Sequence, residues 1–77
     1  STFKNPIGEK AWELIKRSKC ENLSVGDAKI SEKHSNFFIN NEKASAKEIE
    51  SLISSVQEKV FRETGINLEL EIKIVGD

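Results

Sequence analysis

The 77-residue sequence has little of several residue types, and each scarcity excludes something. Cys20 is the only cysteine, which excludes an internal disulfide and agrees with a reducing compartment. One proline and four glycines leave no linker that would divide the chain, so its length predicts one domain. Apolar runs extend over only a few residues, so no segment is expected to span a bilayer.

An excess of either charge is also absent. The 12 Lys and Arg residues against 13 Asp and Glu residues leave a net charge of −1, which disfavours binding to nucleic-acid phosphates. The chain has no phosphate-binding Walker loop, no dinucleotide-binding glycine pattern and no paired cysteines. His34 alone does not assemble a metal site. Composition therefore predicts a soluble globular domain of modest core size.

Apolar spacing predicts the elements of the first half of the chain. A helix is predicted over Gly8–Ser18, because apolar side chains recur there at helical intervals after Pro6. Residues 19–26 are interpreted as a connection. Short strands are predicted over Ala28–Ile30 and Asn36–Asn40, with both faces of the second strand covered.

The second half contains the clearest helix and the clearest strand. Ser45 followed by Glu48 predicts a capping box, and Gly65 predicts a left-handed helix end. The helix between them has an apolar stripe. Strict alternation predicts a strand over Ile66–Val75. Together these elements predict an α+β domain: a small antiparallel or mixed sheet of about three strands, with two helices packed on one face.

Individual polar residues have ordinary interpretations when they are taken alone. Glu71 would be a solvated residue on the polar face of a strand, and Ser1 an exposed residue at the start of the sequence. His34 would be a loop residue, and Asn5 is equally a turn residue before Pro6 or a ligand-binding amide. Composition and spacing alone therefore do not establish a catalytic site.

A resemblance to a known family changes this interpretation. The opening STFKNP resembles a loop of the C-terminal domain of the UDP-N-acetylenolpyruvoylglucosamine reductases (UDP-N-acetylmuramate dehydrogenases). In that loop a serine is followed by two residues, of which the second is usually aromatic, and then by a lysine or similar residue, asparagine and proline. AWELIK resembles the following helix, GDAKISEKHSNFFIN a turn and strand, and ASAKEIESLISSVQEKVFRETGINLELEIKIVG the long helix and closing strand. The resemblance extends from Ser1 to Gly76.

The resemblance implies a fold, an activity and a place in a larger enzyme. Residues 1–77 would be the C-terminal substrate-binding domain, a fragment that begins at the catalytic serine and is inactive alone. Two upstream domains of the same polypeptide would hold FAD, which NADPH reduces. The enzyme would convert UDP-N-acetylglucosamine enolpyruvate to UDP-N-acetylmuramate in the bacterial cytoplasm. That reaction belongs to peptidoglycan precursor synthesis, and so to cell-wall biogenesis, cell shape and cell division.

The resemblance also implies two catalytic residues. Ser1 would protonate the α-carbon of the substrate after hydride has reached the β-carbon. A serine hydroxyl is a weak acid, but a carbanion is a strong base, so correct geometry is sufficient. Glu71 would polarise the substrate carboxylate or assist the proton transfer.

Four further residues are implied to contact ligands. Asn5 matches a substrate-binding asparagine, Lys4 would meet the substrate's phosphates, and His34 stands where some members place a substrate-contacting polar residue. Lys73 stands where relatives usually have arginine and is assigned to cofactor binding. Lysine would replace a bidentate contact there by a single charge contact.

An alternative remains open from the sequence: a free-standing protein-interaction module that keeps the fold without the chemistry. In that case the alternating strand would be an ordinary sheet edge, and the helix faces would bind a protein. A flavin-binding region upstream in the same reading frame would favour the reductase. A start codon and a short linker would favour the module.

Overall fold

A computed structural model describes residues 1–40 and 44–71 as two helices and three short strands. In chain order these are α1 (Ala11–Arg17), β1 (Ser24–Val25), β2 (Ala28–Ile30), β3 (Phe38–Asn40) and α2 (Ala46–Thr64). The strands form one antiparallel sheet in the order β1-β2-β3. Helix α2 contacts β1 and β2, and α1 packs on α2. The predicted α+β class with a small sheet and two helices is confirmed.

Helix α2 has the two ends that its sequence predicts. The Ser45 hydroxyl accepts a hydrogen bond from the Glu48 backbone N–H at 3.1 Å, and the Glu48 carboxylate accepts one from the Ser45 N–H at 3.0 Å. At the other end, Gly65 has φ +75°, a left-handed conformation that glycine adopts without steric cost. The predicted capping box and glycine cap are both confirmed.

Helix α1 is shorter than predicted, because it begins at Ala11 rather than at Gly8. A turn precedes it, in which the Glu9 N–H donates to the Pro6 carbonyl at 3.1 Å. The helix ends at Arg17, and the backbone N–H of its C-cap residue Ser18 donates to the Leu14 carbonyl at 3.0 Å. The apolar spacing located the helix but not this local turn.

The strands differ from the prediction in three places. Residues Ser24–Val25 pair with β2, although they were interpreted as part of a connection. Strand β3 begins at Phe38, two residues later than predicted. Over residues 66–69 the structure has no strand, and the pairing of this segment is a single antiparallel bridge between Phe3 and Leu70. The remainder of the predicted strand, residues 72–75, lies outside the described residues.

The core lies between α2, α1 and the sheet. Its buried apolar side chains are Phe3, Ala11, Leu14, Ile15, Cys20, Ala28, Ile30, Leu52, Ile53, Val56, Val60 and Leu68. Phe3 meets Phe38 edge-on, with ring centroids 5.8 Å apart. Burial raises the pKa of the Cys20 thiol, as expected for a small core residue. Within the described ranges, neither helix is long and apolar enough to cross a membrane.

Ser18 introduces an unfavourable polar group into this core. Its side chain is fully buried, and its hydroxyl has no hydrogen-bond partner among the residues that the structure describes. Burial of an unpaired hydroxyl costs about 1–3 kcal/mol. Ser18→Ala is therefore expected to raise the free energy of unfolding by about 1 kcal/mol in urea denaturation.

Ser35→Ala is the matched control for Ser18→Ala. The Ser35 hydroxyl is also buried, but it donates to the Trp12 carbonyl at 2.8 Å. Loss of that hydrogen bond is expected to lower the free energy of unfolding by about 1 kcal/mol. Destabilisation by both substitutions would contradict the assignment of an unpaired hydroxyl at Ser18.

Candidate functional site

The first and last described residues of the chain lie side by side. The bridge between Phe3 and Leu70 is flanked by two backbone hydrogen bonds. The Glu71 N–H donates to the Thr2 carbonyl at 2.9 Å, and the Lys4 N–H donates to the Glu69 carbonyl at 2.8 Å. This pairing brings the exposed Ser1 hydroxyl against Glu71, and the hydroxyl donates to the Glu71 carboxylate.

Asn36 holds the opening segment from its other side. The Phe3 N–H donates to Asn36 Oδ1 at 2.9 Å, and Asn36 Nδ2 donates to the Phe3 carbonyl at 2.9 Å. The Asn36 backbone carbonyl also accepts from the Thr2 N–H at 2.7 Å. Because these bonds use the Asn36 carbonyl and side chain, the residue ties the opening segment to the loop before β3. Segment 1–3 is thus bonded along both of its sides.

A pocket of about 410 Å³ opens beside Ser1 and Glu71. That volume lies within the usual range for small-molecule sites. The pocket is lined by Ser1, Phe3, Asn5, Trp12, Lys16, Glu21, Glu32, Lys33, His34, Ser35, Asn36, Phe37 and Glu71. Five parts of the fold therefore supply its wall: the opening segment, the outer face of α1, the connection after α1, the loop before β3 and Glu71 at the end of the described residues.

Aromatic side chains form one part of the pocket wall. Trp12 is 45% exposed and Phe37 is 51% exposed, which is unusual for side chains of this size. The His34 ring lies tilted against Phe37, with centroids 5.4 Å apart. The prediction that Phe37 is covered within a strand is therefore wrong. Phe37 precedes β3 in a turn, where its N–H donates to the His34 carbonyl at 2.8 Å.

Of the other residues predicted to contact ligands, two line this pocket and two do not lie among its described lining residues. Asn5 and His34 line it, and Asn5 Oδ1 also accepts from the N–H of Ala11 at 2.9 Å. That bond occupies one orphan amide at the start of α1, so Asn5 has a structural task as well. Lys4 is exposed and is not among the lining residues. Lys73 lies outside the described residues.

Sequence reasoning missed several residues of the wall. Trp12 and Lys16 are four residues apart on α1, so their shared face was available from helical periodicity. Lys33 and Lys16 bring positive charge to the pocket, opposite in sign to Glu71. Asn36 had no signal, because nothing in its neighbourhood indicates a bond to Phe3, 33 positions away.

The pocket has the polar groups of a ligand site, but the described residues do not form a metal site. Within 1–40 and 44–71, no group of three His, Cys, Asp or Glu side chains is arranged to hold a metal ion. No glycine lines the described pocket, so this chain offers no glycine-rich cradle for a dinucleotide phosphate there. Its hydroxyl, carboxyl, amide and ammonium groups suit proton transfer and hydrogen bonding to a polar ligand.

Fold and site together define a small α+β domain with a polar pocket beside Ser1 and Glu71. Residues 1–75 match the family described as "UDP-N-acetylenolpyruvoylglucosamine reductase, C-terminal domain". The chain belongs to this family, as the resemblance of its motifs predicted.

Similar proteins carry the corresponding name, UDP-N-acetylenolpyruvoylglucosamine reductase. The protein from Beijerinckia indica is 58% identical over 76 residues, which are 99% of this chain and 24% of that protein. Those from Gluconobacter oxydans and Novosphingobium aromaticivorans are 49% and 50% identical over 99% of this chain, which spans 25% and 26% of their lengths. The chain thus spans about a quarter of the length of these relatives.

Proposed function

We propose that this chain is the substrate-binding and proton-donating domain of a UDP-N-acetylenolpyruvoylglucosamine reductase. The whole enzyme would convert UDP-N-acetylglucosamine enolpyruvate to UDP-N-acetylmuramate in the bacterial cytoplasm, for peptidoglycan synthesis. The observation that carries the proposal is the hydrogen bond between Ser1 and Glu71 at the edge of the pocket. The names of the relatives support the choice of reaction.

The proposed task of Ser1 is to hold a proton close to the α-carbon of the substrate. FAD, once reduced by NADPH, would supply the hydride that reaches the β-carbon. Ser1 is exposed to the pocket, while Thr2 and Phe3 behind it are buried, so a fixed backbone carries the hydroxyl. Such positioning allows a weak acid to protonate a strongly basic carbon.

Glu71 is proposed to orient the Ser1 hydroxyl and, in its protonated form, to return a proton to the Ser1 oxygen after the transfer. Between the two roles considered for this residue, the contact with Ser1 supports assistance of the proton step. After Ser1 has given up its proton, a proton held on Glu71 would restore the hydroxyl. Both groups are exposed in this chain, so exchange with water can then reset the pair.

The remaining wall is proposed to bind the UDP-sugar. Lys16 and Lys33 place ammonium groups on the pocket, and a diphosphate would bind to these two groups and away from the carboxylates of Glu21 and Glu32. Asn5 and His34 offer hydrogen-bonding groups to the ligand. Lys4, which does not line the pocket, is proposed to contact a substrate phosphate from beside it. FAD would be bound by other parts of the polypeptide, so the isolated 77-residue chain is expected to be inactive.

The test is Ser1→Ala in the full-length enzyme, with the two half-reactions measured separately by stopped-flow absorbance of the flavin. Flavin reduction by NADPH is expected to be unchanged. Reoxidation by UDP-N-acetylglucosamine enolpyruvate is expected to slow about 10²- to 10⁴-fold, because the positioned acid is lost. Glu71→Gln is expected to slow the same step by a smaller factor, since an amide still contacts Ser1.

Ser55→Ala is the matched control, because Ser55 is an exposed serine on α2 outside the pocket lining. Its reoxidation rate should equal that of the parent enzyme. A full reoxidation rate in Ser1→Ala would overturn the assignment of Ser1 as the proton donor. Failure of the parent enzyme to bind the UDP-sugar would instead favour an interaction module.

A further inference from the structure

We propose that Asn36 is a positioning residue that holds the Ser1 hydroxyl at the reacting carbon of the substrate. The inference rests on the proposed function, since it assumes that Ser1 delivers the proton. Asn36 is assigned no contact with the reacting atoms. Its action passes through the backbone of Phe3, two residues from Ser1.

The bonds of Asn36 restrain the opening segment at two successive residues. Its side-chain amide accepts from the Phe3 N–H and donates to the Phe3 carbonyl, both at 2.9 Å. Its backbone carbonyl accepts from the Thr2 N–H at 2.7 Å. An amide that donates and accepts to one residue fixes the plane of that backbone as well as its distance. Asn36 and the Glu71 N–H, which donates to the Thr2 carbonyl, therefore set together the direction in which Ser1 leaves the segment.

On the opposite side of the segment, the hydrogen bonds are made by the residues before and after Phe3. There the pairing with residues 69–71 has one hydrogen bond to the Thr2 carbonyl and one from the Lys4 N–H, and neither involves Phe3. Phe3 is 1% exposed and Asn36 is 7% exposed, so water would not readily replace the bonds between them. Loss of the Asn36 amide would free the backbone of Phe3, two residues from Ser1, while the bonds of Thr2 and the bond between Ser1 and Glu71 remain possible.

Asn36 also belongs to the wall that would meet the substrate. It lines the pocket between Ser35, which is tied to α1 through the Trp12 carbonyl, and Phe37, which contacts His34. A ligand that presses on this loop therefore acts on the same element that holds Ser1.

The experiment uses the full-length enzyme with Asn36→Leu, which keeps the side-chain shape and removes both amide bonds. Reoxidation of the reduced flavin by UDP-N-acetylglucosamine enolpyruvate is expected to slow about 10²-fold, as for a misplaced reacting group. The Kd of the substrate should change by less than about threefold, and flavin reduction by NADPH should be unchanged. Ser45→Ala, a remote change that weakens the cap of α2, should leave both rates at parental values.

A double-mutant cycle separates positioning from a general structural effect. If Asn36 acts through Ser1, adding Asn36→Leu to Ser1→Ala should slow reoxidation by less than about twofold further. A full additional loss in that background would overturn the proposal, as would a parental rate in Asn36→Leu alone. A parental rate in Ser1→Ala would instead overturn the proposed function, so the two failures are distinguishable.

Asn36→Asp tests the positioning role of Asn36 if Asn36→Leu does not fold. An aspartic acid in its protonated form has both an acceptor for the Phe3 N–H and a donor for the Phe3 carbonyl. In its ionised form it presents a second acceptor to that carbonyl. The reoxidation rate of Asn36→Asp relative to the parent should therefore rise as the pH falls. A ratio that is constant with pH would overturn the proposal.

Discussion

Replacement of Leu52 by alanine is expected to lower the free energy of unfolding of this chain by about 3 kcal/mol. Leu52 is fully buried on α2, within the cluster that joins that helix to the sheet and to α1. Its removal forfeits the transfer free energy of the side chain and leaves a cavity that the rigid surroundings fill only in part. In a domain of this size, such a loss is a large share of the total stability.

Phe61→Ala is the matched control for Leu52→Ala, because it removes a larger side chain from the same helix. Phe61 is 48% exposed, so its loss creates no closed cavity and is expected to lower the free energy of unfolding by about 1 kcal/mol or less. Urea denaturation followed by far-UV circular dichroism measures both. A larger loss for Phe61→Ala would contradict the core described here.

Replacement of Gly26 by alanine is expected to be the second large destabilisation, about 2 kcal/mol. Gly26 has φ +55°, which strains any residue with a side chain. Its Cβ would lie 1.7 Å from Glu48 Oε2, so the carboxylate must move away. That carboxylate accepts from the Ser45 N–H, so its displacement breaks this half of the capping box, while the bond from the Glu48 N–H to the Ser45 hydroxyl remains.

Two comparisons separate the strain from the collision. Gly65→Ala has a similar positive φ of +75° with nothing within 4 Å of the new Cβ, so it is expected to cost only about 1 kcal/mol. In a Glu48→Ala background, which removes the colliding carboxylate, Gly26→Ala should also cost about 1 kcal/mol. Thermal or urea unfolding measures all three. An unchanged cost in that background would exclude the collision as a cause.

Local chemistry explains why α2 was predicted correctly from end to end. The capping box involves residues three apart, the apolar stripe repeats within one helix, and Gly65 needs only its own φ. Each signal is complete within a few residues of the sequence. The start of α1 was misplaced because the turn between Pro6 and Glu9 competes with helix over the same residues.

Strand pairing was harder to predict, because an alternating apolar pattern does not indicate which other segment the strand will pair with. The two-residue β1 becomes a strand by pairing with β2, and without that pairing it resembles a loop. The alternation after Gly65 predicted a long strand, but in residues 66–71 the structure has one bridge. Phe37 looked like a core residue because aromatic residues favour strands, yet it precedes β3 and borders the pocket.

The candidate site shows the same contrast between contacts of sequence neighbours, which can be predicted, and contacts of residues far apart in the sequence, which cannot. By composition and spacing alone, Ser1 and Glu71 were ordinary exposed residues. The family resemblance identified them as candidate catalytic residues but did not predict that they contact each other. Interactions between near neighbours in the sequence were enough to specify α2 and the α+β class. The hydrogen bond between the Ser1 hydroxyl and the Glu71 carboxylate joins residues 70 positions apart. It depends on the pairing of Phe3 with Leu70 and on the two hydrogen bonds between Asn36 and Phe3. Contacts of that range depend on how the whole chain packs, and no local pattern records them.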